Sequence, residues 1–301
     1  MPAEITVALD AVIVAVSDDA PKVLVRLPER ALPAGQFDPA GDRTLELGVR
    51  RWVSEQTQLS LGHVEQLYTF GDRDRDPTRR GGPRMLSIAY LAFVRESVRP
   101  ATDDAGWRAW YEFFPWEDWR DGRPALVDTM ILPAVEGWIG EAHGEERTRR
   151  ERRARRCVGT RKVAWNPELA LDRYELFWEI GLVSESLPGG ARLGAGMPLD
   201  HRRILATAIG RIRGALAYRP VVFELLPPEF TLTTLQRTVE ALAGVRLHSG
   251  NFRRLVASAN LVEATGERAR DTNGRPAALY RFRADVIAER DILGMSISPA
   301  P

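Results

Sequence analysis

The 301-residue chain has one cysteine, Cys157, so no disulfide can close within it. A lone thiol suits a reducing, cytoplasmic setting and argues against a secreted disulfide scaffold. No apolar run reaches the ~18–20 residues needed to cross a bilayer, which leaves no expectation of a membrane partner. The opening stretch MPAEITVALDAVIVAV has neither a basic leader nor a small-residue cleavage site, and it reads as strand rather than signal peptide. From Met197 to Pro301 there is no lysine at all: 15 arginines face ten acidic residues, a net of +5, while the rest carries 27 basic and 31 acidic residues, a net of −4. A basic C-terminal part suits a polyanionic partner. Cys157 sits among arginines, which would favour its thiolate, although a bystander thiol is the plainer reading.

What is present is a globular composition, 44% apolar and 28% charged, long enough for two domains of about 100–150 residues. Residues 4 to 16 and 22 to 27 read as strands split by the turn SDDAP, and 28 to 43 as a Pro/Gly loop. TLELGVRRWVSEQTQ (44–58) reads as a helix with Thr44 as N-cap and a stripe of Leu45, Val49, Trp52, Val53 and Gln56, with Trp52 expected in the core. VEQLYTF (64–70) and MLSIAYLAFV (85–94) are strands around the charged loop GDRDRDPTRRGGPR. This order predicts an α/β layered domain over 1–140. A connector follows over 141–196. It holds the charge run EERTRRERRARR, a solvated helix face or linker, a helix over 165–183 opened by Pro167, and the linker PGGARLGAG. Over 197–301 the pattern changes to helix, helix, helix and a hairpin with an Arg-rich tip, the order of a winged helix-turn-helix.

The stretch PAGQFDPAGDRTLELGVRRWVSEQTQL resembles the Nudix box, G-x5-E-x7-R-E-U-x-E-E-x-G-U, with Arg51, Val53, Glu55 and Leu59 in register and the Gly35-to-Arg51 spacing two residues longer. In Nudix hydrolases three helix glutamates hold Mg²⁺ against a diphosphate, and Mg²⁺ wants hard oxygen ligands. Here Trp52 and Gln56 stand in two of those places and Gln58 replaces the glycine, so no catalytic residue and no metal ligand set is expected. The following loop resembles that of ADP-ribose-type Nudix domains and their regulators. The resemblance implies an effector site built from Arg51, Glu55, Arg73, Arg75, Arg79 and Arg80, with guanidiniums suited to phosphate oxygens. An ordinary charged surface loop would pair the same arginines with its own aspartates.

The C-terminal stretch carries FELLP-x-x-FTL, NFRR and GRPA-x-LYRFR, and is identified as similar to the DNA-binding domain of the Nudix-related transcriptional regulators, NrtR. The extra sequence over 107–196 resembles the longer NAD-biosynthesis repressors of the NadQ type. Thr231, Thr233 and Thr234 open a helix that could grip a phosphate. Asn251, Arg253 and Arg254 sit early on the next helix, where side chains reach base edges, with Phe252 and Leu255 facing the core. Arg275 marks the wing. The resemblance implies an N-terminal Nudix-like α/β/α sandwich joined to a winged helix-turn-helix, in a homodimeric repressor of NAD-metabolism genes. It would bind a palindromic double-stranded operator, require no cofactor, and respond to a nucleotide effector such as ADP-ribose, NAD or an ATP-like adenylate. Two rivals stand beside it: a Nudix pyrophosphatase acting on ADP-ribose, and a C-terminal module that binds protein instead of DNA.

Overall fold

A computed structural model of the chain describes residues 5–73, 84–95, 103–159, 163–186, 193–216, 221–269 and 276–283. The N-terminal sheet is built from β1 (Ile5–Ser17), β2 (Ala20–Arg26), β3 (Ala34–Gln36), β4 (Val64–Phe70), β5 (Arg84–Phe93) and β6 (Ala105–Ala109). Its order is β4-β5-β1-β2-β6, with β3 also paired to β1. Central β1 runs parallel to β5, from Ile5 opposite Arg84 to Val14 opposite Phe93, and antiparallel to β3, with Asp10 opposite Ala34. A central strand buried on both faces needs a nearly continuous apolar run, which is why AVIVAV shows no alternation. Leu9, Ala11, Ile13 and Ala15 pack on one side with Val49 and Val53, while Val12 and Val14 join a larger core on the other.

The first side is covered by α1 (Leu45–Thr57), capped by the Thr44 hydroxyl, which accepts from the Leu47 N–H at 3.1 Å. Val49 and Val53 are fully buried and each contributes about 1.5–3 kcal/mol. Trp52, expected in the core, is only half-buried; it lies over the sheet edge. The expected loop over 28–43 contains the three-residue β3, and β6 is a further strand that the pattern did not announce.

After the sheet the chain is helical: α2 (Trp110–Phe113) and α3 (Leu132–Gly140) fall within the 1–140 stretch, and α4 (Gly144–Val158) and α5 (Ala170–Glu179) within the expected connector. The charge run is α4, and its arginines pair along and across helices, as Arg147 does with Glu151 and Arg156 with Asp172. The helix expected to run to 183 ends at Glu179, because Gly181 takes φ +77 and the Leu182 N–H turns back to the Phe177 carbonyl. Burial dominates the Cys157 thiol and pushes it up to about 11, against the neighbouring arginines; the expectation of a favoured thiolate is corrected.

The winged helix comprises α6 (His201–Leu216), α7 (Leu232–Ala243), α8 (Ser249–Ala259) and a small sheet ordered β7 (Glu229–Phe230), β9 (Ala278–Phe282), β8 (Val262–Arg268). One continuous core joins the second face of the N-terminal sheet, the connector and these helices. The described part of the expected linker, Leu193–Gly196, is packed rather than free. The Ala195 N–H donates to the Glu112 carbonyl at 2.8 Å, and a Cβ on Gly194 would stand 2.3 Å from the Phe113 carbonyl oxygen. The glycine there serves close backbone approach.

Beneath this core lies a charged hub. The buried Glu117 carboxylate accepts from Arg173 Nε and Nη2 at 2.6 and 2.8 Å and from Arg213 Nη1. Arg213, on α6, also donates to the Leu242 carbonyl of α7 at 3.1 Å. The hub therefore ties the connector to two helices of the winged domain.

Candidate functional site

On α1 the positions that resemble a metal-binding set do other work. The Trp52 indole N–H donates to the Gln36 carbonyl at 2.8 Å. The Gln56 amide donates to the Ala34 carbonyl at 2.7 Å and accepts from the Ala34 N–H at 3.1 Å. Together they clasp β3 against the helix. Gly35, between them, has no room for a side chain: a Cβ would fall 2.0 Å from Trp52 Cε2. Glu55 is exposed and its ion pair is with Arg51, at 3.4 Å. One carboxylate, one amide and one indole are a poor donor set for Mg²⁺, and no group of three or more His, Cys, Asp or Glu among the described residues could hold a metal ion. The residues do not fit the metal that a Nudix hydrolase uses.

Arg51 faces Asp42 in a two-point pair, Nε and Nη2 each 2.8 Å from a carboxylate oxygen, and its guanidinium lies 4.5 Å from the Trp52 ring centre. The Arg51 hydrogen bonds hold the Asp42 carboxyl down at about 2. Arg73 is exposed at the end of the described loop, and Arg75, Arg79 and Arg80 lie outside the described residues. Just before Arg73, Asp72 accepts from Arg203 of α6, which also reaches Glu175 at 2.7 Å.

Below β3, on the sheet face opposite α1, is a cavity of about 420 Å³. Its wall includes Thr6, Ala8 and Asp10 of β1, the three residues of β3, and Pro198, Leu199 and His201 at the start of α6. Neither Arg51, Glu55 nor Arg73 lines it. Asp10 and His201 are both buried, with His201 Nε2 3.2 Å from Asp10 Oδ1. The Leu32 N–H donates to His201 Nδ1 at 3.0 Å, and the Ser87 hydroxyl donates to Asp10 Oδ2. Sequence reading missed this network and Asp42. The available signal was Asp10 itself, a lone charge in an apolar run.

In the winged domain α7 opens at Thr231, whose hydroxyl accepts from the Thr234 N–H at 3.0 Å. That oxygen is committed to capping, while Thr233 and Thr234 are exposed. On α8, Phe252, Val256 and Ala259 are buried at helical spacing, and Leu255, expected to face the core, is half-buried and packs against it. Their burial turns Asn251, Arg253 and Arg254 outward, and Arg254 Nη2 donates to Asn251 Oδ1. β8 and β9 form the hairpin beside them. Arg275, between these strands, lies outside the described residues.

Residues 222–282 match the family model of the NrtR DNA-binding winged helix domain. The ADPR responsive transcriptional repressor NtrR of Acinetobacter baylyi is 36% identical over 86 residues, 29% of this chain and 34% of that protein. The match thus spans about a third of the curated relative's length. Among solved structures, Shewanella oneidensis NrtR complexed with a 27mer DNA superposes with a TM-score of 0.56 at 22% identity, covering 94% of this chain and 95% of its own. A MutT/nudix family protein from Enterococcus faecalis gives 0.54 at 19% identity, covering 93% and 87%. At such identities the likeness establishes the arrangement of the fold, a Nudix-like sheet-and-helix domain followed by a winged helix.

Proposed function

We infer that this chain, a Nudix-related protein of the NrtR-like family, is a DNA-binding transcriptional repressor of NAD-metabolism genes whose grip on its operator is set by a nucleotide bound in the N-terminal domain. The observation that carries the reading is α8: its buried side turns Asn251, Arg253 and Arg254 outward beside a wing hairpin. Asn pairs with adenine N6/N7 and Arg with guanine O6/N7. Asn251, Arg253 and Arg254 contact bases, Thr231, Thr233 and Thr234 lie along a phosphate at the start of α7, and Arg275 serves the wing. The operator is a palindrome read by a homodimer, since a two-fold site mirrors a two-fold protein.

The effector is ADP-ribose, NAD or a related adenylate. The Acinetobacter baylyi relative is an ADPR responsive repressor, and the loop arginines Arg73, Arg75, Arg79 and Arg80 supply charge for a diphosphate, with Arg51 and Glu55 at the neighbouring box helix. The domain binds without hydrolysing: Trp52 and Gln56 are engaged in clasping β3, leaving Glu55 as the one carboxylate of the resembled set.

Fluorescence anisotropy with a duplex from the chain's own promoter and a scrambled duplex, with and without ADP-ribose, tests the reading. Sequence-selective, salt-dependent binding that ADP-ribose changes is the expected result. Mg²⁺-dependent release of AMP from ADP-ribose near ~1 s⁻¹, an ordinary enzyme rate, together with equal binding to both duplexes, would overturn it in favour of a pyrophosphatase.

A further inference from the structure

We propose that His201 is a latch through which the winged helix senses what occupies the cavity below β3. The inference rests on the nucleotide-controlled reading above: with a diphosphate at the loop arginines, it seats a nucleoside end of the effector in this cavity and gives the coupling a moving part. The cavity, about 420 Å³, falls within the ~300–1,000 Å³ range of small-molecule sites, and two parts of the chain share its wall. β1 and β3 belong to the N-terminal sheet; Pro198, Leu199 and His201 lead into the first helix of the winged domain. Arg26, Glu29, Gln36 and Leu199 are its exposed lining, so its mouth is polar but for one leucine, with the guanidinium of Arg26 available to a phosphate.

His201 is held at both ring nitrogens. Because Nδ1 accepts from the Leu32 N–H at 3.0 Å, Nε2 carries the proton and donates to Asp10 Oδ1 at 3.2 Å. Asp10 Oδ2 accepts from Ser87. Asp10 Oδ1 is thus the atom that holds the ring, and Asp10 is the buried carboxylate of the cavity wall, whereas Glu29 is exposed. A nucleotide entering with an exocyclic amine or a ribose hydroxyl meets Asp10 and competes with His201 for it. A donor that takes Oδ1 displaces the ring, and α6 begins at that residue. Ligand occupancy is thus paired with a second seating of α6, and a ligand acts on an equilibrium only by such differential affinity.

The test measures operator affinity and ADP-ribose affinity separately for the full chain, for His201→Ala and for His201→Asn. The Asn side chain keeps one acceptor and one donor on the same stem. Wild type should show an ADP-ribose effect on operator Kd within the usual ~5–150-fold range. In His201→Ala that ratio should fall to within about twofold, while ADP-ribose itself binds as tightly as to wild type or more tightly, because its competitor is gone. His201→Asn should restore a ratio between the two. A merely structural role would lower stability and leave the ratio unchanged. If the variants keep the wild-type ratio, or if His201→Ala loses ADP-ribose binding, the latch is refuted while the repressor reading stands. If wild type shows no ADP-ribose effect in the first place, that reading fails and the latch fails with it. Should His201→Ala not fold, the His201→Asn ratio decides: equality with wild type in both the ratio and ADP-ribose affinity refutes the latch, and a reduced ratio with retained binding upholds it.

Discussion

Replacing Glu117 with alanine removes the one carboxylate that faces two buried guanidiniums. The side chains of Glu117 and Arg173 are fully buried and that of Arg213 is 2% exposed. Burial alone would raise the Glu117 carboxyl, but Arg173 and Arg213 outweigh it and hold it below the ordinary carboxylate range. Without Glu117, Arg173 keeps the Asn166 carbonyl at 2.7 Å and Arg213 keeps the Pro167 carbonyl at 3.0 Å; two positive charges then remain in the core with dipoles alone. Breaking a buried pair by removing one partner costs about 3–5 kcal/mol, a large part of the ~5–15 kcal/mol that a folded protein holds in reserve. At ~2–4 °C per kcal/mol for a chain of a few hundred residues, the melting point falls by roughly 6–20 °C. Glu117→Gln keeps the shape and one acceptor and should lose less. The pH dependence has a definite sign. The folded value lies below the unfolded one of about 4.3, so the contribution is complete above that pH and is lost as pH falls through the folded value. Urea denaturation of wild type and Glu117→Ala at pH 7 and at about pH 3 measures both effects. A Glu117→Ala loss below ~1 kcal/mol at pH 7, or one that does not shrink in acid, would refute the charge-hub account.

Three further outcomes are expected. Gly35→Ala should cost about 1–3 kcal/mol through overpacking against Trp52 and should be nearly neutral in a Trp52→Ala background, a coupling that a double-mutant cycle reads directly; equal costs in both backgrounds would remove the clasp. Cys157, buried and with its thiol pushed up to about 11, should resist a thiol reagent at pH 8 until urea unfolds the chain, and prompt labelling of the folded protein would contradict its placement between α4 and α5. Asn251→Ala should cost about 1–3 kcal/mol on the operator and little on scrambled DNA, whereas Arg275→Ala should weaken both duplexes and lower the salt slope by about one unit; wild-type behaviour in both variants would pass the reading role to another surface.

Elements with a complete local pattern were legible in the sequence. The boundaries of α1 and α7 were marked by Thr44, Thr231 and Gly244, because caps are properties of a few adjacent residues. The wing hairpin was marked by its turn residues between two short apolar runs. β3 was not legible, because its three residues are held by Trp52 and Gln56 from a helix 16 to 22 residues away. The same distance explains the buried arginines. Arg173 and Arg213 fall within expected helices, yet their partner Glu117 lies 56 and 96 residues away, and no window of local sequence shows that pairing. His201 and Asp10 are a further case: one polar residue on an apolar strand announces a partner without saying which.

The anchors on α6 differ in strength, and the difference says where the molecule can yield. His201 and Arg213 are twelve residues apart, about 18 Å along a helix, and α6 spans that distance as one stiff element. Toward the N-terminal sheet its ionic contacts are Arg203 with Asp72 and Arg211 with Glu65, both partly exposed. Exposed pairs of that kind are worth about 0–1 kcal/mol each. Toward the connector and α7 it has the Glu117 hub, whose disruption costs about 3–5 kcal/mol, together with the buried pair of Arg202 with Glu185 and the partly exposed pair of Arg203 with Glu175. The α7 pair across the sheet boundary, Arg237 with Asp19 at 3.6 Å, is also exposed. Apart from the buried His201–Asp10 contact, the ionic links named between the sheet and the winged domain are therefore of the low-cost kind, and the costly hub lies on the other side. The costly one holds α5, α6 and α7 together as a body. A ligand seated against the sheet has a few kcal/mol of differential affinity at most to spend on moving α6. That is enough to re-pair Arg203 and Arg211, and too little to open the hub. Any coupling that passes through α6 must therefore displace the winged helix as a unit against the sheet, leaving the outward face of α8 intact.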